Sequence, residues 1–516
     1  MDIITDKIYM NKVKSKNTYQ LTMENDFIVS DTKSDIDKII REQGEVIIDE
    51  YKMIDGKINV KGKLRFDVLY LTNGENGILD GITEIIPFGE VINTSESILE
   101  ASLDIKCELD DLSINVINSR KISARGLISL HLIEEEVFEQ KIITDIQNEA
   151  EVIKEQISFM QLISNKKDIF RINENIHLQT SKDNIQNILY YDVKIINCNT
   201  RAIEEKLSIK GDLIVFVLYS TEDGEYECLE KEIPYAGELD LYEAQETMID
   251  DVNINIGNKE VMVKQDEDGE NRLIDVDVSL DLNIKLYKEC NINLVKDAYG
   301  IYKCLIPKRE EVDYTKLLLK NNTIFKINER LELKEKNKNI MQICNSTATL
   351  KIDSAEIVDN GISIEGVAEV CILYISNNDK EPICSFKELL PFNHLIEAKN
   401  ITIDCLYEIK PYVEQISASM LARDEIEIRI GICLDTLIFN KLKENLILEI
   451  EEREFTKSEK EKMCTMVGYR VKEKDTLWSI AKKYNTTVDM LKEINKIVDK
   501  DIKTGDKLLI VREFVA

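Results

Sequence analysis

The chain is poor in chain breakers and in the residues that usually carry chemistry, with six prolines, nineteen glycines, three histidines and one tryptophan in 516 residues. So little proline and glycine excludes collagen-like or long disordered tracts. His131, His177 and His394 have no second His or Cys at ligand spacing, and there is no G-x-x-x-x-G-K-[ST] loop, G-x-S-x-G elbow or H-E-x-x-H pair. The eleven cysteines form no C-x-x-C pair and read as buried small hydrophobes in a reducing compartment. Long apolar runs are missing too. The longest, Leu213 to Tyr219, is far short of the roughly 18 residues that span a bilayer, and Met1 to Asp6 lacks a basic region followed by an apolar one. Neither membrane insertion nor secretion is expected.

Positive charge is scarce as well. The 67 Lys and Arg face 97 Asp and Glu, a net of −30 that repels nucleic acid and anionic membranes. The exception is residues 467–516, with 11 basic and 8 acidic side chains, a net of +3 against −33 for residues 1–466.

What the chain does have is an internal repeat. Gly62, Gly211 and Gly366 each open a strand-like segment that ends in Tyr70, Tyr219 and Tyr374, and each is followed by Pro87-Phe88, Pro234-Tyr235 or Pro391-Phe392. The glycines are 149 and then 155 residues apart, a spacing of tandem domains and not of a solenoid. Upstream, Phe170-Arg171-Ile172-Asn173-Glu174 matches Phe325-Lys326-Ile327-Asn328-Glu329, with Tyr19 to Glu24 a weaker first copy. Apolar and polar residues alternate in every copy, which predicts mainly antiparallel β domains, sandwich-like, with one wet face per sheet. A strand glycine on the apolar side predicts a bulge or close backbone approach. A short helix is expected over Lys33 to Glu42. The domains expected are 1–145, 151–305 and 309–440, then a charged linker over 441–466.

From 467 to 513 the pattern changes to βααβ. Asp475 or Thr476 caps a helix through Tyr484, Thr486 or Thr487 caps a second through Ile494, and a strand over Lys507 to Val511 follows the Gly505-Asp506 turn. Trp478 is expected to pack against the first of these helices. The run Tyr469-Arg470-Val471-Lys472, Asp475-Thr476-Leu477-Trp478-Ser479-Ile480-Ala481-Lys482-Lys483-Tyr484, continued by Gly505-Asp506-Lys507-Leu508, resembles a LysM domain. The resemblance implies a groove for N-acetylglucosamine glycans between residues 473–477 and 495–499. The departure is Lys474, where the family usually has glycine; its side chain crowds the approach of a sugar. Glu473, Lys474, Asp475, Thr476, Leu477, Asn495 and Lys496, around the apolar Ile497 and Val498, are therefore the candidate partner- or glycan-binding residues.

The Gly-to-Leu-Tyr segments and the later Pro-aromatic segments resemble SPOCS (spore coat) domains of sporulating Firmicutes. Three of them before one LysM domain resemble the SipL-like clostridial spore coat morphogenetic proteins. That resemblance implies a non-catalytic scaffold in the mother cell, at the forespore surface and in the spore coat. Its LysM domain docks on the stage IV sporulation protein A ATPase, it recruits other coat proteins, and it needs no cofactor. The alternative is a binder of cell-wall or cortex glycan. A hydrolase with an unrecognised β domain is a third reading, but similar repeats suit binding better than one active centre. Asp266-Glu267-Asp268-Gly269 has the composition of a calcium loop, yet alignment on Gly269 puts Lys264 at the first ligand position, so a hairpin turn is expected.

Overall fold

A computed structural model describes residues 2–512 except 55, 74–77, 94–102, 148, 149, 333–339, 379, 423, 464 and 498–501. Each repeat contributes six strands. In the first they are β1 (Asp2–Ile28), β2 (Ile36–Ile54), β3 (Lys57–Thr72), β4 (Leu79–Asn93), β5 (Leu103–Asn118) and β6 (Lys121–Gln147). In the second they are β7 (Ala150–His177), β8 (Ile185–Ile203), β9 (Lys206–Thr221), β10 (Tyr226–Asp240), β11 (Ile249–Lys264) and β12 (Leu273–Gly300). In the third they are β13 (Cys304–Glu332), β14 (Ile340–Val358), β15 (Gly361–Ser376), β16 (Ile383–Glu397), β17 (Leu406–Met420) and β18 (Glu425–Arg453).

Every repeat is a sandwich of two three-stranded antiparallel sheets, ordered β1-β6-β5 and β2-β3-β4 in the first and likewise in the others. The inner faces meet in one apolar core per repeat, such as Leu64 and Phe66 of β3 with Ile122 and Ile128 of β6. The repeated glycine and Pro-aromatic pair turn out to be one contact. Gly62 lies opposite Phe88, Gly211 opposite Tyr235 and Gly366 opposite Phe392, and a Cβ on each glycine would stand 2.6–2.8 Å from the facing ring. On the other side of each glycine the neighbouring strand is bulged, between Ile48 and Glu50, Ile196 and Asn199, and Ile352 and Ser354. The ring then packs on Phe170 in the second repeat and Phe325 in the third, with centroids 5.9 and 5.6 Å apart. That accounts for the recurring Phe-x-Ile-Asn-Glu segment.

Two expectations change. Lys33 to Glu42 is not helical: Ile36 starts β2, and bulges between Ile36 and Lys38 and between Ile39 and Arg41 produce the three- and four-residue apolar spacing that reads as a helix. Residues 441–466 are not a free linker, because Lys441–Arg453 is the end of β18, paired with β13 from Thr315 back to Cys304. The second repeat therefore ends at Gly300, the third starts at Cys304 and runs to Arg453, and the expected limits 305, 309 and 440 fall inside strands. Its charge belongs to the wet side of a two-stranded ribbon, where Lys441 pairs with Asp313, Lys443 with Glu311 and Lys308 with Glu449, each at 3.0 Å.

Equivalent ribbons, β1/β6, β7/β12 and β13/β18, extend from all three sandwiches and meet. Ile8, Ile157 and Val312, spaced 149 and 155 residues apart like the glycines, sit in one buried cluster with Met10, Phe159 and Tyr314 at the same spacing. A neighbouring cluster holds Ile143, Val295 and Ile447. Side chains at one repeat position can share a cluster only if the three copies surround a common axis. The charged contacts close the same ring: Lys106 of the first repeat reaches Glu408 of the third at 3.0 Å, Lys410 of the third pairs with Asp251 of the second, and Asn283 of the second donates to Asp104 of the first at 3.3 Å. The expected wet face of the main strands is consequently dry at one end, where Leu69, Phe216, Leu218 and Leu373 form a third shared cluster.

The polar residues on this axis differ between copies. Arg41, Tyr190 and Asn345 occupy one repeat position, and Arg41 donates to Asn345 Oδ1 at 3.3 Å and lies 4.7 Å from the Tyr190 ring centroid. Beside them Gln43 donates to Asp192 Oδ1 at 3.0 Å. Burial pushes the Asp192 carboxyl up, but Lys194, Arg41 and Lys259 outweigh it and hold its pKa below the ordinary value. Unequal partners at equivalent positions give each repeat a defined place in the ring.

Candidate functional site

After β18, Thr456 caps a short helix, α1 (Lys457–Lys462), through a capping box with Glu459, which also pairs with Arg453 at 2.8 Å. The C-terminal module follows as β19 (Met466–Arg470), α2 (Leu477–Tyr484), α3 (Val488–Ile494) and β20 (Lys507–Val511), with β19 and β20 antiparallel. Thr476 caps α2 with Ser479 as its reciprocal partner, and Thr487 caps α3. Val471, Ile480, Ala481, Leu491, Leu508 and Ile510 form its core.

The nine candidate residues divide by what holds them. Asp475 accepts from Lys472 N at 2.7 Å and Tyr469 OH at 2.8 Å, and these bonds depress its pKa. With Thr476 at the helix cap, both of these side chains are tied into the local fold. Asn495 donates to Leu509 O and accepts from Leu509 N, each at 2.7 Å, so it fastens the end of α3 to β20. Leu477 is half-buried, and Ile497, one of the two apolar candidates, packs against the module core. Val498 lies outside the described residues. Glu473, Lys474 and Lys496 are the exposed remainder. Lys474 has φ +68°, a left-handed backbone that suits the glycine usual in such domains, and here it carries a cationic side chain on the loop before α2.

The second repeat supplies a part of the module that the sequence reading missed. Tyr299, at the end of β12, belongs to the module's core: its OH donates to Thr486 O at 2.8 Å and its ring meets Trp478 edge-on at 4.8 Å. Trp478 Nε1 donates to Asp297 Oδ2 at 2.9 Å, Lys482 Nζ reaches both Asp297 oxygens at 2.7 Å, and Asn485 Nδ2 donates to Gly300 O at 3.0 Å. Trp478 is thus a packing residue whose partner is another repeat. A signal was available: at the repeat position of Tyr299 the other copies carry Gln147 and Glu451.

Burial pushes the Asp297 carboxyl up, but hydrogen bonds from Lys482 and Trp478 and the charges of Lys482 and Arg309 hold its pKa below the usual value. A carboxyl depressed on seating stabilises the seated state above its free pKa and stops doing so as pH falls through the depressed one. We therefore expect the seam to weaken below about pH 4. The only tryptophan reports it directly. Acid titration should red-shift Trp478 emission before the repeats unfold, and emission unchanged until global unfolding would remove Asp297 from that role.

Elsewhere, His131 bonds Thr18 at 2.9 Å and His394 stacks on Phe325 at 4.2 Å, where burial lowers its pKa. Asp266 to Gly269 is a hairpin turn, with Asp266 Oδ1 accepting from Asp268 N and Glu270 N at 3.0 Å. Among the described residues no His, Cys, Asp and Glu side chains group as a metal site, and no helix is long and apolar enough to cross a membrane.

Compared with protein families, residues 35–117, 184–264 and 339–421 each match the model described as SipL, SPOCS domain, and residues 469–511 match that of the LysM domain. The SPOCS matches cover the β2–β5, β8–β11 and β14–β17 portions of the three sandwiches, leaving the long ribbons outside. No curated protein and no solved structure matches the chain.

Proposed function

Because the chain is a SipL-like, sporulation coat-related protein of three SPOCS domains and a LysM binding module, we propose that it is a non-catalytic morphogenetic scaffold. In this reading it works in the mother cell at the forespore surface, docks through the LysM domain on the stage IV sporulation protein A ATPase, and recruits other coat proteins on its β ring. The observation that carries the docking step is electrostatic. The segment holding the module is +3 on a chain that is otherwise −33, and Lys474 and Lys496 stand exposed on it. An acidic surface on the ATPase would be steered to this end and repelled by the ring. The seam with the second repeat uses Trp478, Lys482 and Asn485 and leaves these lysines free to meet a partner.

The LysM match itself favours a second reading, binding of an N-acetylglucosamine glycan. Against it stands the side chain of Lys474 on the loop where the family keeps glycine. Co-purification separates the two. Deleting residues 467–516 is expected to abolish retention of the ATPase, and Lys474→Glu with Lys496→Glu to weaken it about fivefold at low salt and less at high salt. Unchanged retention after the deletion would move the docking site to the β repeats. Pelleting with wall sacculi that increases on Lys474→Gly and is lost on the deletion would favour the glycan reading.

A further inference from the structure

One contact recurs three times around the ring with different residues. Gly81, Cys228 and Ser385 each stand seven residues before the aromatic that covers the repeated glycine, and Ile40, Leu189 and Cys344 are spaced 149 and 155 residues apart. Between the first and second repeats, a Cβ on Gly81 would stand 2.1 Å from Leu189 O, so the backbones touch. Between the third and first, Ser385 Oγ hydrogen-bonds the Ile40 carbonyl. The position is therefore one where a short side chain reaches the facing strand. Only between the second and third repeats are both residues cysteine.

Cys228 and Cys344 are half-buried on the shared apolar cluster formed by Leu69, Phe216, Leu218 and Leu373. Both thiols pack against this one cluster, and Cys344, helped by the charge of Lys182, lowers the Cys228 pKa against the opposing effect of burial. The same contact pushes the Cys344 thiol up. Other cysteines are engaged differently: Cys198 meets the Tyr235 hydroxyl, Cys290 the Gln161 side chain and Cys405 the Asn440 side chain.

We propose that Cys228 and Cys344 are an oxidation site at which a low-molecular-weight disulfide joins the second repeat to the third. The Cys228 thiolate attacks one sulfur of the oxidant and expels the other as a thiol, leaving a mixed disulfide on Cys228. Cys344 then loses its proton, attacks Sγ of Cys228 and expels the second thiol. The two protein thiols give up two electrons and two protons, and the oxidant becomes two thiols. The new bond spans residues 228 to 344 and fastens an interface that is otherwise non-covalent, so the ring resists opening. Half-burial admits a small oxidant, and packing on the shared apolar cluster brings the second thiol to the first.

The test uses the full chain, reduced and then incubated with glutathione disulfide without denaturant. The free-thiol count is expected to fall by two of eleven, with a proteolytic map joining the peptides that hold Cys228 and Cys344. Dithiothreitol should restore both thiols. In Cys344→Ser the map should instead show glutathione retained on Cys228. A wild-type chain that keeps glutathione on Cys228, or in which both thiols survive oxidation of the other half-buried cysteines, would overturn the proposal.

Discussion

Phe159→Ala is expected to destabilise all three repeats together, by about 3–5 kcal/mol. Phe159 is 2% exposed and lies at the meeting point of the ribbons, among Ile8 and Met10 of the first repeat and Val312 and Tyr314 of the third. Truncation removes its burial and leaves a cavity bounded by three repeats, so no single repeat can relax around it. A ribbon has only two strands, and its apolar face would be bare in a lone repeat; tandem domains that merely followed one another would have no reason to keep it apolar. Hydrogen exchange in denaturant is the deciding measurement. Loss of protection of similar size in β3, β9 and β15 is expected, whereas loss confined to β9 would mean that the ring does not unfold as a unit. Ile169→Ala serves as the control, because Ile169 is on the same strand but 53% exposed, and surface changes of this kind shift stability by about 0.5 kcal/mol or less.

Much of a repeat was legible because its signals are local. The alternation of Ile58, Val60, Leu64 and Phe66 gives a strand in any context, and Gly62 with Pro87-Phe88 marks a cross-strand pair even before the pairing is known. The LysM elements were legible for the same reason: Thr476 and Thr487 sit where caps must sit, and Lys507 to Val511 is the strand expected. What could not be read are contacts between segments far apart in sequence. Leu69 and Leu218 lie on the face that alternation assigns to water, yet both are buried by another repeat. The unbroken runs Val68 to Leu71 and Val215 to Tyr219 carried that information, since continuous apolar strands are buried on both faces. At 441–453 the ion pairs hid the strand: the ribbon alternates lysines and glutamates outward while Leu446 and Ile450 face the axis. In the candidate site, residue types pointed to two loops but not to what holds each side chain, because Asp475 and Asn495 show only in three dimensions that their side chains are already bonded.

Tyr299→Ala should release the LysM domain while leaving the ring folded. The side chain is 4% exposed, and seating gives its OH the Thr486 carbonyl and its ring the edge of Trp478. Removing a buried aromatic costs about 3–5 kcal/mol, and the cost falls on the seam because Tyr299 stands at the end of β12, beyond the sandwich core. Tyr299→Phe loses only the hydrogen bond, about 1 kcal/mol, and should stay seated. Trp478 emission shifting to the red in the alanine variant alone, with new trypsin cleavage between 454 and 466, would establish the release; equal behaviour of the two variants would assign the seam to Asp297 instead. The same pair of variants then asks what the seam is for. If the ATPase reads only the exposed lysines, a released module binds it as well as a seated one, and what is lost is the fixed placement of the β ring relative to the platform. Should Tyr299→Ala reduce retention as much as deleting residues 467–516, the docking surface would be composite, made by the module and the β12–β13 turn together, and the second repeat would be part of the recognition site.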